Sequence, residues 1–187
     1  MAVRDTARRK LTYEDYLLFP EDGKRHEILD GEHYVMPAPS FSHQGISGNL
    51  YVSLRLFVRE HRLGFVRYAP LDVLLSEHDI VQPDLLFISN ERAGIVKEPN
   101  VHGAPDLVVE ILSDSSRQRD EILKRHLYER SGVLEYWLVD PIRRTLRVLR
   151  RSGVGFLAAQ EVSAAAGDVL TTPLLPGFEI RVSEIFE

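Results

Sequence analysis

The sequence contains no cysteine among its 187 residues, which excludes disulfides, thiolate metal sites and cysteine nucleophiles together. Any metal must be held by oxygen or imidazole. The chain also lacks an apolar run near the roughly 18 residues of a membrane span, and its basic start, MAVRDTARRK, leads into no apolar signal-peptide core. These absences predict a soluble, cytoplasmic protein with no membrane partner. Positive charge is scarce as well. Against 28 Asp and Glu stand 23 Lys and Arg, a net charge of -5, so the field of the whole molecule does not attract a polyanion. Nucleic acid would need a local basic face, for which the candidate is Ile142 to Arg151, IRRTLRVLRR. The same stretch reads as a solvated edge strand kept soluble by its charge. No internal repeat, low-complexity tract or linker divides the chain, and 44% hydrophobic content suits a single domain spanning residues 1–187.

What is present centres on Asp106 to Pro141, DLVVEILSDSSRQRDEILKRHLYERSGVLEYWLVDP. A strand-like apolar run, a serine-rich turn, a helical segment, a glycine stop and a second apolar run predict a β-α-β unit. Ser113 to Ser116 offer helix caps, the spacing predicts a helix over 117–130 with an apolar stripe of Ile122, Leu123, His126 and Leu127, and Gly132 ends it. Glu110 stands out among Val108, Val109, Ile111 and Leu112. A carboxylate in such a run must be paired, protonated or bound to a cation, because burying it bare costs several kcal/mol or more.

The flanking segments add further candidates. Thr12 and Asp15 open a short helix over 11–19 that stops at Pro20, and RHEILDGEHYVM is a hairpin turning at Asp30-Gly31, with Glu27 facing to the same side as Leu29. A long helix capped by Ser40 or Ser42 runs to about Arg62 and is closed by Gly64, with His43 and Gln44 in its first turn, where an anion is favoured. FVRYAPLDVLLS reads as two short strands or one bent at Pro70, Glu77-His78-Asp79 as a polar turn, and IVQPDLLFIS as a strand with Asp84 directly after Pro83. Residues 90–104 read as a surface loop, and the region beyond Pro141 as antiparallel β-structure.

If the strands carrying Asp84 and Glu110 are neighbours, their carboxylates converge on one cation, and Mg²⁺ prefers such hard oxygen ligands. Lys124 shares a helix ridge with Asp120 and Tyr128 and would bring positive charge over the sheet end. Pro83-Asp84 followed by Glu110-Ile111-Leu112 resembles the PD-(D/E)XK pattern of restriction-endonuclease-like nucleases. With HEILDGE, Ser42-His43, QPDLLFIS, PDLVVEILSDSSR, Lys124, Tyr128, Gly132 and EYWLVDP, the chain from about Thr12 to Phe186 resembles the Uma-type family of predicted endonucleases within that superfamily.

The resemblance implies an α/β (α+β) fold, a restriction-endonuclease-like mixed β-sheet flanked by helices with extra antiparallel strands at the C-terminus. It implies Mg²⁺, or Mn²⁺, on Asp84, Glu110 and the main-chain carbonyl of Ile111. Catalytic roles fall to Asp84, Glu110, Lys124 and Glu27, and substrate contacts to His43, Gln44 and Tyr128. The motif's lysine position is Leu112 here, so Lys124 would be a migrated replacement. The implied partner is nucleic acid, DNA first, acted on by a homodimer. Two other readings remain open: a nuclease-like fold kept as a DNA- or protein-binding module without cleavage, and a structural domain in which Glu110 is salt-bridged to Lys124.

Overall fold

The computed structural model describes residues 9–187; most of the basic start, residues 1–8, lies outside the described residues. The chain opens with α1 (Tyr13–Tyr16), held by a capping box in which the Thr12 hydroxyl accepts from the Asp15 amide and the Asp15 carboxylate accepts from the Thr12 amide. The hairpin of β1 (Arg25–Leu29) and β2 (Glu32–Met36) follows, with Asp30 and Gly31 both at positive φ as its turn requires. Next comes α2 (Phe41–His61), capped by Ser40 through the His43 amide and burying Ile46, Leu50, Leu54 and Val58 along one stripe.

The helix ends close to Arg62, as expected, but Gly64 does not close it. Arg62 is its left-handed cap at φ 54°, and Gly64 instead opens the next strand, where a Cβ would lie 2.1 Å from the carbonyl oxygen of Ile88. Close passage of two strands, not helix termination, is what requires that glycine.

Two sheets are built by a chain that moves between them. After β3 (Gly64–Tyr68), β4 (Val73–Ser76), β5 (Asp79–Val81), β6 (Leu85–Ser89), β7 (Val96–Lys97) and β8 (Asn100–His102), the first sheet has the order β2-β1-β5-β4-β8-β7. The second takes β3 and β6, then β9 (Leu107–Ile111), β10 (Glu135–Asp140), β11 (Thr145–Ser152) and β12 (Gly155–Phe156), in the order β12-β11-β10-β9-β6-β3, with β13 (Gln160–Ser163) also on β11. Between β9 and β10, which are parallel, lie a π-helical turn (Arg119–Lys124) and α3 (Arg125–Ser131). The predicted β-α-β unit is therefore present. The chain ends with the pair β14 (Val169–Thr171) and β15 (Glu179–Arg181) and the short α4 (Val182–Ile185).

Several expectations are corrected. IVQPDLLFIS is not one strand. It is β5 of the first sheet and β6 of the second, with Gln82-Pro83-Asp84 crossing between them; a proline cannot donate to a ladder, and here the ladder breaks at it. Asp79 is the first residue of β5, not part of a polar turn, and is buried against the Arg130 guanidinium at 2.8 Å. Residues 90–104 are not an unstructured surface loop, since they carry β7 and β8 and bury Val101 and Ala104. The arginine-rich stretch is no edge strand. Its β11 lies inside the second sheet, and its arginines are spent within the fold, Arg147 on Glu121, Arg150 on Glu135 and Arg151 on the Glu129 carbonyl.

One face of the second sheet packs on α2 and the C-terminal segment through Leu54, Val58, Val109, Trp137 and Phe178. The other face meets α3 and the first sheet through Val81, Val108, Leu127, Tyr128 and Leu138. Glu110 alternates with Val109 and Ile111 and so points into this second layer.

Candidate active site

Three elements bring acids to one end of that layer. The Gln82-Pro83-Asp84 crossing supplies Asp84, β9 supplies Glu110, and β1 supplies Glu27; all three are at most 4% exposed. The π-helical turn adds Asp120 and Lys124, both 2% exposed. This departs from the helix face the sequence suggested, of whose stripe only Leu127 is buried. Ile122 and Leu123 of the expected apolar stripe are exposed, while the polar residues face inward. A π-turn spends one extra residue per turn and resets the register, and the internal acids give the inward-facing ammonium partners that solvent would otherwise supply.

Lys124 Nζ donates to Glu27 Oε1 at 2.8 Å and Glu110 Oε1 at 2.9 Å and lies 3.9 Å from Asp120 Oδ1. Burial works against its ammonium, but Glu110, Glu27 and Asp120 outweigh that and raise its pKa above the ordinary lysine value, so it stays charged. Glu110 Oε1 also accepts from the Tyr128 hydroxyl at 2.7 Å. Its carboxyl is pushed up to about 8, first by burial and then by crowding from Asp120, Asp84 and Glu27, against the opposing pull of Lys124. Asp120 is raised too, again chiefly by burial.

Asp84 behaves differently. Burial pushes its pKa up, yet the bond from His43 Nε2 to Oδ2 at 3.0 Å, the Ile111 amide on Oδ2 at 2.9 Å and Arg25 near Oδ1 at 3.3 Å together hold it below the usual carboxylate range. It is ionised at neutral pH.

Asp84, Glu110, Ile111, Lys124, Asp120 and His43 line one cleft of about 450 Å³, with Arg25, Arg117 and the loop 113–116 on its walls. Of the residues singled out from sequence, Asp84, Glu110 and Lys124 line this cleft, and Glu27 joins them through its bond to Lys124. His43 also reaches it, though it bonds to an acid and not to open space for an anion. Two candidates lie elsewhere. Tyr128 is fully buried, so its hydroxyl positions Glu110 and cannot touch a substrate. Gln44 is exposed on α2 and lines an adjoining hollow instead of the cleft. Sequence reasoning missed Arg25, whose only signal was its place two residues before Glu27 on the same strand. It saw Asp120 only as a ridge neighbour of Lys124.

The donor set suits a hard cation. Three buried carboxyl groups surround the Lys124 ammonium, with buried Asp84 on the same cleft, and Glu27 Oε2 and Asp120 Oδ1 are buried without a hydrogen-bond partner. Among the described residues no group of three or more His, Asp or Glu side chains is placed to hold a metal ion; a cation here would rest on one or two carboxylates, with water and phosphate completing its shell.

A family model described as "Uma2: Putative restriction endonuclease" matches residues 13–183. Among solved structures, the chain is similar to a crystal structure of a "putative nuclease belonging to DUF820" from Anabaena variabilis. The TM-score is 0.79 at 19% identity, over 94% of this chain and 97% of that one; this likeness carries the fold. No curated protein matches the chain. Among the described residues no helix is long and apolar enough to cross a membrane.

Proposed function

The chain belongs to the Uma2 family of putative restriction endonucleases, and on that premise we propose that it hydrolyses phosphodiester bonds of DNA, with Asp84 and Glu110 holding Mg²⁺ or Mn²⁺. The observation that carries this reading is the convergence of Asp84, Glu110 and Lys124, from three separate elements, on the wall of one cleft. Bound there, the cation would polarise the scissile phosphate and lower the pKa of a water. The other tasks fall to the chain itself. Asp84, already ionised, offers a ready anionic ligand, whereas Glu110 gives up its proton when the cation arrives. Lys124 keeps its own proton, so it acts as a fixed positive charge facing the charge that builds on phosphorus, not as a base. Glu27 and Tyr128 hold Lys124 and Glu110 in place. His43 and Arg25 orient Asp84. The Ile111 carbonyl is a further ligand candidate on the cleft wall.

The test is nicking of supercoiled plasmid with Mg²⁺ or Mn²⁺. Asp84→Asn, Glu110→Gln and Lys124→Met should each lower the rate by about 10²-fold or more, and chelator should abolish it. Unchanged rates in all three variants would sink the proposal. One observation favours a second reading: Lys124 already occupies Glu110 with a 2.9 Å bond inside the fold, as in a nuclease-like module that binds without cutting. Calorimetry with Mn²⁺ separates the two, since only the nuclease takes up the ion, releases a proton as it does so, and loses uptake in Glu110→Gln.

A further inference from the structure

The arginines of β11 are consumed by ion pairs and main-chain carbonyls, yet a second basic group is free of ion pairs. Arg55, Arg59 and Arg62 at the far end of α2, with Arg67 on β3, surround a hollow of about 410 Å³. Among the described residues none of the four lies within ion-pair distance of a carboxylate, although the chain as a whole is acidic. Arg59, Arg62 and Arg67 are exposed.

Between this group and the cleft lies another hollow, of about 460 Å³, which shares Arg25, His43 and Asp84 with the cleft wall. Its floor is aromatic. Tyr51 of α2 and Tyr68 of β3 meet edge to face at 4.7 Å between ring centroids, and Tyr68 is 55% exposed. Gln44 and Ser47 add polar groups at its side, and a Cβ placed on Gly48 would meet nothing within 4 Å. From Gln44 to Arg59 the helix rises roughly 22 Å, a span of several nucleotides.

From this sequence of acidic cleft, aromatic hollow and arginine group we infer that a single strand of nucleic acid lies along α2 and β3, leading into the cleft; the inference rests on the nuclease reading of that cleft. Unpaired bases expose the faces that aromatic side chains stack on, whereas a duplex hides them and offers only phosphates. The hollow at Tyr51 and Tyr68 takes a base next to the scissile phosphate, and Arg55, Arg59, Arg62 and Arg67 take phosphates further along. The preferred substrate is then single-stranded, or a duplex frayed or flapped beside the cut.

Binding is measured without turnover, by fluorescence anisotropy of a labelled 15-nucleotide single strand on the Glu110→Gln chain in chelator, across a salt series. Arg55→Ser with Arg59→Ser should weaken binding for every sequence and reduce the slope of log affinity against log salt by roughly 1.4. Gly48→Leu fills the hollow while favouring the helix, and Tyr68→Ala removes its platform; each should weaken binding roughly 10-fold with the salt slope unchanged. A blunt duplex of equal length that binds as tightly as the single strand overturns the inference. So do variants that bind like the parent. If plasmid is nicked while these variants bind normally, the track fails and the nuclease reading stands; if nothing is cleaved yet the variants behave as expected, the track stands without it.

Discussion

Glu110 makes the folded chain a proton acceptor at an unusual pH. Its carboxyl titrates at about 8, against 4.5 when free, so between those values the folded chain holds a proton that the unfolded chain has released. The stability this lends is complete below 4.5 and is lost as pH rises through 8. The melting temperature of the metal-free protein should therefore fall between about pH 5 and about pH 9, by roughly 2–4 °C for each kcal/mol. Glu110→Gln should flatten that decline, and Mn²⁺ should restore stability at the alkaline end. Asp84 has the opposite sign. Its lowered pKa gives stability that is present above 3.8 and lost as pH falls below it, so Asp84→Asn should soften acid unfolding. Lys124→Met breaks the buried pair with Glu27, at a cost of about 3–5 kcal/mol, measurable by urea denaturation. At this scale the sequence was highly legible. Glu110 was conspicuous because a lone acid in an apolar run demands a partner. Tyr128 was misplaced because residue type alone does not tell a buried hydroxyl from an exposed one.

The π-helical turn over Arg119–Lys124 is the element on which the site's geometry turns. Removing exposed Ile122 should relax it to an ordinary α-helix that leaves Asp120 and Lys124 three residues apart, about 60° from alignment around the axis, and so shift the acid against the ammonium. The expected result is a chain with the same circular dichroism, a lower melting temperature and little nicking. The helix was legible from its caps and its glycine stop, but its buried face was not, since hydrophobic periodicity assumes a constant turn and this segment breaks it while burying charge. The division of IVQPDLLFIS between two sheets was hidden for a similar reason. Pro83 announced a break, but nothing local says that the next strand joins a different ladder. The short β7 and β8 were overlooked because they sit among the glycines and prolines that ordinarily mark a loop.

At the level of the whole molecule, each chain carries one cleft with one set of acids. Such a protein should nick before it linearises. A second cut opposite the first needs a second site, which we propose comes from another copy of the chain. Linear plasmid should then increase more steeply with protein concentration than nicked plasmid does, and sedimentation should show dimer over the same range; equal dependence of both products would argue for independent single cuts. The β-α-β unit was legible from order and spacing, and the mixed sheet flanked by helices from the family resemblance. The first sheet was not, because its strands come from three separated stretches of chain and pair across long loops that leave no local trace.

The three-residue bridge Gln82-Pro83-Asp84 ties the two sheets together and ends on an acid of the candidate site. The proposed chemistry would thus be hostage to both layers: neither half of the molecule, cut free, would keep these acids together, and loss of nicking on heating should coincide with global melting instead of preceding it.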